Sequence, residues 1–149
     1  RQVTLIYDIS NCFGTLNEVV DKGVDVIKVD IASSNNRDVS IVNSIKAIIS
    51  ENYKEEEFSV NAIADKLYYT SAYVCMVFKK ITGITINDYI NHYRLSKAKK
   101  LLLNMELKLY DIARLVGYSN DNYFSKVFKK YEGMTPSEFR RELLLNEIK

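Results

Sequence analysis

Two stretches of this sequence carry side chains of matching type at matching spacing. Phe78-Lys79-Lys80-Ile81-Thr82-Gly83-Ile84-Thr85 returns as Phe128-Lys129-Lys130-Tyr131-Glu132-Gly133-Met134-Thr135, fifty positions later. Tyr73 pairs with Tyr123 at the same lag, whereas Ile63-Ala64 pairs with Ile112-Ala113 at a lag of 49, so the second copy holds one extra residue, expected in the interval Asn120 to Asn122. A repeat of this length marks an internal duplication. The lysine pairs supply fixed cations for an anionic partner. Just ahead of the second pair, Asp121, Asn122, Ser125 and Lys126 are left facing out when Tyr123, Phe124, Val127, Phe128 and Tyr131 form the inner stripe of a helix. Amide, hydroxyl and ammonium groups on such a face can donate to and accept from the hydrogen-bonding edges of a partner.

Helices must position these groups. Leu109, Ile112, Ala113 and Val116 give a short helix one apolar stripe, Gly117 breaks it with a sharp turn, and Ser119 is the expected N-cap of the helix that follows. The first copy reads likewise: Ser59 caps a helix burying Val60, Ile63, Ala64 and Leu67, then a turn through Tyr68, Tyr69 and Thr70 leads to a helix starting near Ser71. Its core side is Val74, Val77, Phe78 and Ile81, and Gly83 ends it. Between the copies lies an element without glycine or proline, capped by Thr85 with Asp88 three residues on. A helix from Ile86 to about Leu103 would be roughly 27 Å long and is expected to join two bodies at a nearly fixed distance. Thr135-Pro136-Ser137-Glu138 supplies N-cap, first-turn proline and a capping-box glutamate for a last helix burying Phe139 and Leu143. Upstream, Ile41, Ile45, Ile48 and Ile49 predict a helix from about Val39 to Asn52, and the small polar residues 33–36 predict a linker, with a domain boundary near residue 38. A further helix is plausible from Thr15, despite Gly23, whereas residues 1–10 fit a strand or a helix end equally.

The 149 residues, 47% hydrophobic, suffice for one or two modest cores and argue against disorder. A start at Arg1 without a charged-then-apolar leader reads as a fragment of a longer protein, and no apolar run approaches a membrane span. Cys12 and Cys75 are too few for a disulfide framework or a zinc site, which fits a reducing cytoplasm. Net charge is only +2, but residues 71–130 hold eleven Lys or Arg against four acids, while residues 1–40 hold four against six. Such asymmetry suits a polyanion on one part of the molecule, or else the lysines merely solvate exposed faces. Neither a nucleophile with its base, a phosphate loop nor a metal-ligand set is present, so an enzyme is not expected and no cofactor is implied. His92, the sole histidine, reads as a surface or packing residue.

The run IARLVGYSNDNYFSKVFKKYEGMTPSEFR resembles the AraC/XylS type of bacterial transcription regulator, and YTSAYVCMVFKKITGITINDYINHYRLSKAKKLL resembles the first half of the same domain. The likeness covers residues 41–142. It implies an all-α fold of about seven helices, two homeodomain-like helix-turn-helix subdomains joined by a long linking helix, whose recognition helices enter successive major-groove segments of double-stranded DNA. IISENY and KLYYTSAYV are most similar to the YesN-like response-regulator subgroup. The expected division is 1–38 as the tail of an upstream regulatory or dimerisation segment and 39–149 as the DNA-binding domain, with units at 39–84 and 105–149 around a linking helix at 85–104.

Carried onto this chain, the resemblance implies base-facing Ala72, Tyr73, Cys75 and Met76 on the first recognition helix and Asp121, Asn122, Ser125 and Lys126 on the second. Asn can pair bidentately with adenine and Lys can donate to guanine, while Asp121 either accepts from cytosine or favours the positive helix terminus. Cys75 and Met76 stand where relatives often place serine and arginine, so the second unit is expected to supply most hydrogen-bonded readout and the first apolar contact and shape. The phosphate set is Ser71, Lys79, Lys80, Ser119, Lys129, Lys130 and Thr135, although the four lysines fit equally as helix-dipole partners. Expected partners are duplex DNA, RNA polymerase in the full-length protein, and a second copy through the N-terminal or upstream segment. The rival is an all-helical protein–protein adaptor, which would have no need of two lysine-bearing faces at a repeat distance.

Overall fold

The structure, a computed structural model, describes residues 25–148 by their backbone and 36–147 by their side chains as well. Regular structure among these residues is helical throughout: α1 (Asp25–Asn52), α2 (Val60–Leu67), α3 (Ser71–Thr82), α4 (Ile86–Leu102), α5 (Leu109–Leu115), α6 (Asp121–Glu132) and α7 (Pro136–Ile148). Among the described residues the chain forms two units, one holding the chain up to Glu51 together with Ser59–Ile90, the other Asn52–Phe58 and everything from Asn91.

In the first unit the stripes read from the sequence are the ones that lose water. Ile41, Val42, Ile45 and Ile49 of α1, Ile63 and Ala64 of α2, Val74, Val77 and Phe78 of α3, and Ile86, Tyr89 and Ile90 at the start of α4 are buried. Each large apolar side chain so placed contributes roughly 1.5–3 kcal/mol. The Phe78 and Tyr89 rings meet edge to face at 5.4 Å. Val60, Leu67, Ile81 and Ile48 are only half-buried.

The second unit has one apolar cluster: Leu95, Ala98 and Leu102 of α4, Ile112 and Ala113 of α5, Val116 and Tyr118 of the turn, and Phe124, Val127 and Phe128 of α6. Phe124, Phe128 and Phe139 follow one another edge-on at 5.8 and 5.6 Å, which seats α7 against α6. The Arg140 guanidinium donates to the carbonyls of Leu102 and Asn104, both at 3.1 Å, and so satisfies groups left open at the end of α4.

Three expectations are corrected. Residues 33–36 are no linker: α1 runs through them unbroken from Asp25. Ser and Asn each cost only some tenths of a kcal/mol in a helix, less than extending an already nucleated helix gains. Ser119 is not the N-cap of α6. That position is Asn120, whose Oδ1 accepts from the Tyr123 amide at 2.8 Å. The extra residue of the second copy lies before Asn120 rather than after it. Tyr69 N–H to Ala64 O, at 3.0 Å, matches Tyr118 N–H to Ala113 O, at 2.9 Å, with lag 49, and the lag is already 50 at the caps Thr70 and Asn120. The readings made for residues 1–10 and for the part of the helix expected from Thr15 that precedes Asp25 lie outside the described residues, while Ile27 and Ile31 of that helix fall within α1.

Gly117 is held by two constraints at once. Its φ is +100°, and a Cβ built there would overlap the Tyr53 carbonyl oxygen and lie 2.8 Å from Arg94 Nε. Gly83, at φ +84°, has open space where a Cβ would go. We therefore expect Gly83→Ala to destabilise by about 1 kcal/mol and Gly117→Ala by about 3 kcal/mol or more in urea titrations; equal losses would contradict the close approach.

Thr135 and Glu138 form a reciprocal capping box. The Thr135 amide donates to Glu138 Oε1 at 2.8 Å, and the Glu138 amide donates to Thr135 Oγ1 at 3.2 Å. The backbone hydrogen bond from Thr135, then its side-chain hydrogen bond, hold the Glu138 carboxyl below the usual range, with Lys129 and Arg141 adding to the effect. A depressed folded-state pKa contributes stability that is present above the unfolded value and lost as pH falls through the folded one. The stability gap between wild type and Glu138→Gln, measured by denaturation, is accordingly expected to hold steady at neutral pH and to narrow below about pH 4.5.

Candidate nucleic-acid interface

The repeated elements α3 and α6 are built alike. Thr70 Oγ1 accepts from the Tyr73 amide at 3.1 Å as Asn120 Oδ1 does from Tyr123, so each helix starts with a side chain bonded to the third amide on. Each ends in a left-handed glycine, Gly83 at φ 84°, ψ −5° and Gly133 at φ 82°, ψ −5°, whose amides bond Lys79 O and Lys129 O. Inner faces coincide at a lag of fifty: Val74, Val77 and Phe78 against Phe124, Val127 and Phe128. What lies outward is thereby fixed.

On α3 that outward face holds Ala72, Cys75 and Met76, all exposed, with Tyr73 half-buried and its ring 4.9 Å from that of Tyr69. On α6 Asn122 and Lys126 are exposed, and Asp121 and Ser125 half-exposed. The two faces differ sharply in chemistry. One offers methyl, thiol and thioether groups beside the half-buried Tyr73 phenol; the other offers amide, hydroxyl, carboxylate and ammonium groups within two helical turns.

The residues assigned to phosphates do not form one set. Lys79, Lys129 and Lys130 are exposed, and Lys130 lies 5.3 Å from the Tyr131 ring centroid. Lys80 is engaged instead: its ammonium bonds Asp38 Oδ2 at 3.1 Å, and the Asp38 side chain is only 8% exposed. Ser71 is the first residue of α3, and its hydroxyl donates to Asn61 Oδ1 at 2.5 Å. Ser119 is exposed beside the cap Asn120. The Thr135 amide is occupied by the Glu138 carboxylate.

Several features escaped the sequence. Tyr123 was expected inside and is 53% exposed. Its neighbour Phe124 takes the core position, and a ring next to it on a helix necessarily points elsewhere. Tyr68 ends α2 at φ 60° and is 94% exposed; its alignment with Gly117 at lag 49 was the available signal. Arg94, inside α4, is buried, and its Nε and Nη2 donate to Tyr53 O and Glu55 O, both at 2.9 Å. Burial lowers its pKa, opposed by Tyr118 and Tyr123. The Tyr118 phenol is pushed up by burial, with Arg94 acting the other way, so it remains a donor, bonding Asn91 Oδ1 at 2.8 Å. His92 packs edge-on against Tyr131 at 4.7 Å.

This arrangement has relatives. A family model described as a helix-turn-helix domain matches residues 63–142. The Msm operon regulatory protein of Streptococcus mutans is 37% identical over 116 residues, 78% of this chain and 41% of that protein, so the chain spans less than half of that relative's length. Among solved structures, the C-terminal domain of the two-component response regulator yesN from Fusobacterium nucleatum is similar at 44% identity and a TM-score of 0.62, covering 64% of this chain and 93% of that one. The C-terminal domain of AraT, a response regulator from Geobacillus stearothermophilus, is similar at 31% identity and a TM-score of 0.67, covering 68% and 84%. Two cap-to-cap recognition-type helices, each preceded by a short packed helix, together with these matches, show that the chain belongs to the AraC-type helix-turn-helix family of transcription regulators.

Proposed function

We propose that this chain binds double-stranded DNA in a sequence-specific manner, with α3 and α6 occupying successive major-groove segments, as the effector part of a larger bacterial transcription regulator. The observation that carries the reading is the duplicated outward face: two helices with superposable caps and inner stripes, each presenting a short row of side chains of groove-reading size. On α6, Asn122 suits adenine, Lys126 suits guanine, Ser125 suits either, and Asp121 accepts from cytosine or stabilises the helix start. On α3, Ala72, Cys75 and Met76 suit thymine methyl groups, beside Tyr73. Phosphates fall to Lys79, Lys129 and Lys130, helped by Ser71 and Ser119 at helix starts, while Lys80 is shared with Asp38 and the Thr135 amide with Glu138.

Two relatives described as response regulators support a place downstream of a receiver domain, in the cytoplasm where such DNA lies. RNA polymerase is the partner this role implies for the complete protein, and pairing with a second copy would fall to the segment ahead of residue 39. An adaptor without DNA binding finds no observation in its favour.

Duplexes selected from random-sequence DNA provide the test. Retention is expected to fall steeply with salt, and Lys79→Met, Lys129→Met and Lys130→Met are each expected to reduce the log–log slope by about 0.9. Retention independent of salt would defeat the proposal. On the selected site, base-pair changes under α6 are expected to cost about 1–3 kcal/mol each and those under α3 less; equal or larger losses under α3 would reverse the division of labour.

A further inference from the structure

Tyr68 combines three properties that do not usually meet. Its backbone is left-handed, φ 60° and ψ 38°, and it is the sole non-glycine residue with positive φ among those described. Its side chain is 94% exposed. It takes part in no hydrogen bond, ring contact or ion pair of the described residues through that side chain. A bulky residue in this conformation is strained by contact of its Cβ with the neighbouring carbonyl oxygen. The backbone bonds that close this helix end, Tyr68 N–H to Asp65 O and Tyr69 N–H to Ala64 O, would form equally well with glycine, so the tyrosine side chain itself contributes nothing that offsets the strain.

The second unit shows what an unstrained version looks like. At the equivalent turn Gly117 donates to Arg114 O at 3.2 Å, as Tyr68 does to Asp65 O at 3.2 Å, and Gly117 adopts positive φ without steric cost. A glycine at residue 68 would serve the turn better than tyrosine. Strain kept at an exposed aromatic points to a role outside the folded chain.

Position narrows that role. Tyr68 is two residues ahead of the cap Thr70 and three ahead of the first residue of α3. The outward face of α3 is short of donors, since Ala72, Cys75 and Met76 carry none of strength and the one phenol, on Tyr73, is half-buried. A phenol at the head of this helix adds one donor and one apolar plate. Resting on the DNA reading above, we propose that Tyr68 is a contact residue of the first unit: its hydroxyl donates to a backbone phosphate oxygen flanking the segment under α3, and its ring lies on the adjoining deoxyribose. The neutral phenol displaces no counterion, so the contact adds affinity without adding to the salt slope.

Stability and affinity should then move in opposite directions. Thermal unfolding and binding to the selected duplex at one salt concentration are measured for wild type, Tyr68→Gly, Tyr68→Asn and Tyr68→Phe. Tyr68→Gly is expected to raise Tm by about 2–4 °C and to weaken binding about tenfold. Tyr68→Asn, which tolerates left-handed angles, should follow it in both respects. Tyr68→Phe keeps the strain and the ring, so Tm should not change while binding falls by about threefold with an unaltered salt slope. Binding at the wild-type level by Tyr68→Gly overturns the contact alone, and so does a lowered Tm, which would remove the strain. A wild-type chain that retains no duplex overturns the DNA reading and this contact with it.

Discussion

The second unit depends on a buried cation with carbonyl partners. Arg94 is 7% exposed, and among the described residues no carboxylate lies within ion-pair distance of it. An isolated guanidinium would not be tolerated there. It is held by the carbonyls of Tyr53 and Glu55, in the turn that follows α1. The Tyr118 ring faces it at 5.3 Å and adds a cation–π attraction. Arg94 thereby staples the turn at 52–58 to α4. That turn's Tyr53 carbonyl is in turn what Gly117 approaches, so a charge, a main-chain turn and a missing Cβ are parts of one arrangement.

That arrangement sets the angle at which α6 leaves α5. Tyr118, the residue after Gly117, is buried in the apolar cluster and tied by its hydroxyl to Asn91. Two residues later Asn120 opens α6 with a side-chain cap, and the half-buried Lys99 to Glu132 ion pair, 2.8 Å, fixes the far end of the same helix to α4. The helix is held at both ends as well as along its inner stripe, so the direction of Asn122, Ser125 and Lys126 is not free to vary. A side chain can discriminate among partners only when the element beneath it does not move. The first unit solves the same problem differently. Its α3 is tied at the far end by Lys80 to the buried Asp38 of α1, and among the described residues its turn has no counterpart to Arg94 and carries a strained Tyr68.

Most of the helical frame could be read from the chain because its determinants are local. The stripe Ile41, Ile45 and Ile49, the glycines Gly83 and Gly133, the Thr85 and Thr135 caps, and Pro136 in a first turn each state their structure within four residues of themselves. The repeat then tied the two units together. What escaped depended on distant partners or on small energies. Arg94 looks like any cation of a polar helix until a turn 41 residues earlier folds over it. Residues 33–36 carry weak propensities against helix that a nucleated helix overrides. Ser119 and Asn120 are both good caps, and which one served depended on where the extra residue of the turn was absorbed. Tyr123 repeats Tyr73, and the repeat said nothing about whether either ring is inside.

The placement of the outward side chains was legible, but their use was not, and the reason is physical. Inner stripes are constrained by shape: Val77 and Val127, or Phe78 and Phe128, occupy equivalent places because the packing around them allows little else. Exposed outward positions are little constrained by packing, so Ala72 against Asn122 and Met76 against Lys126 can diverge at small cost to stability. Divergence is therefore concentrated where the partner alone decides which side chain serves. If α3 and α6 meet DNA as proposed, a thioether on one and an ammonium at the equivalent position of the other would suit segments that present different groups. On that proposal the asymmetry between the faces corresponds to an asymmetric ligand: duplicated elements would read one continuous sequence of unlike halves by keeping their scaffolds alike while their surfaces part company.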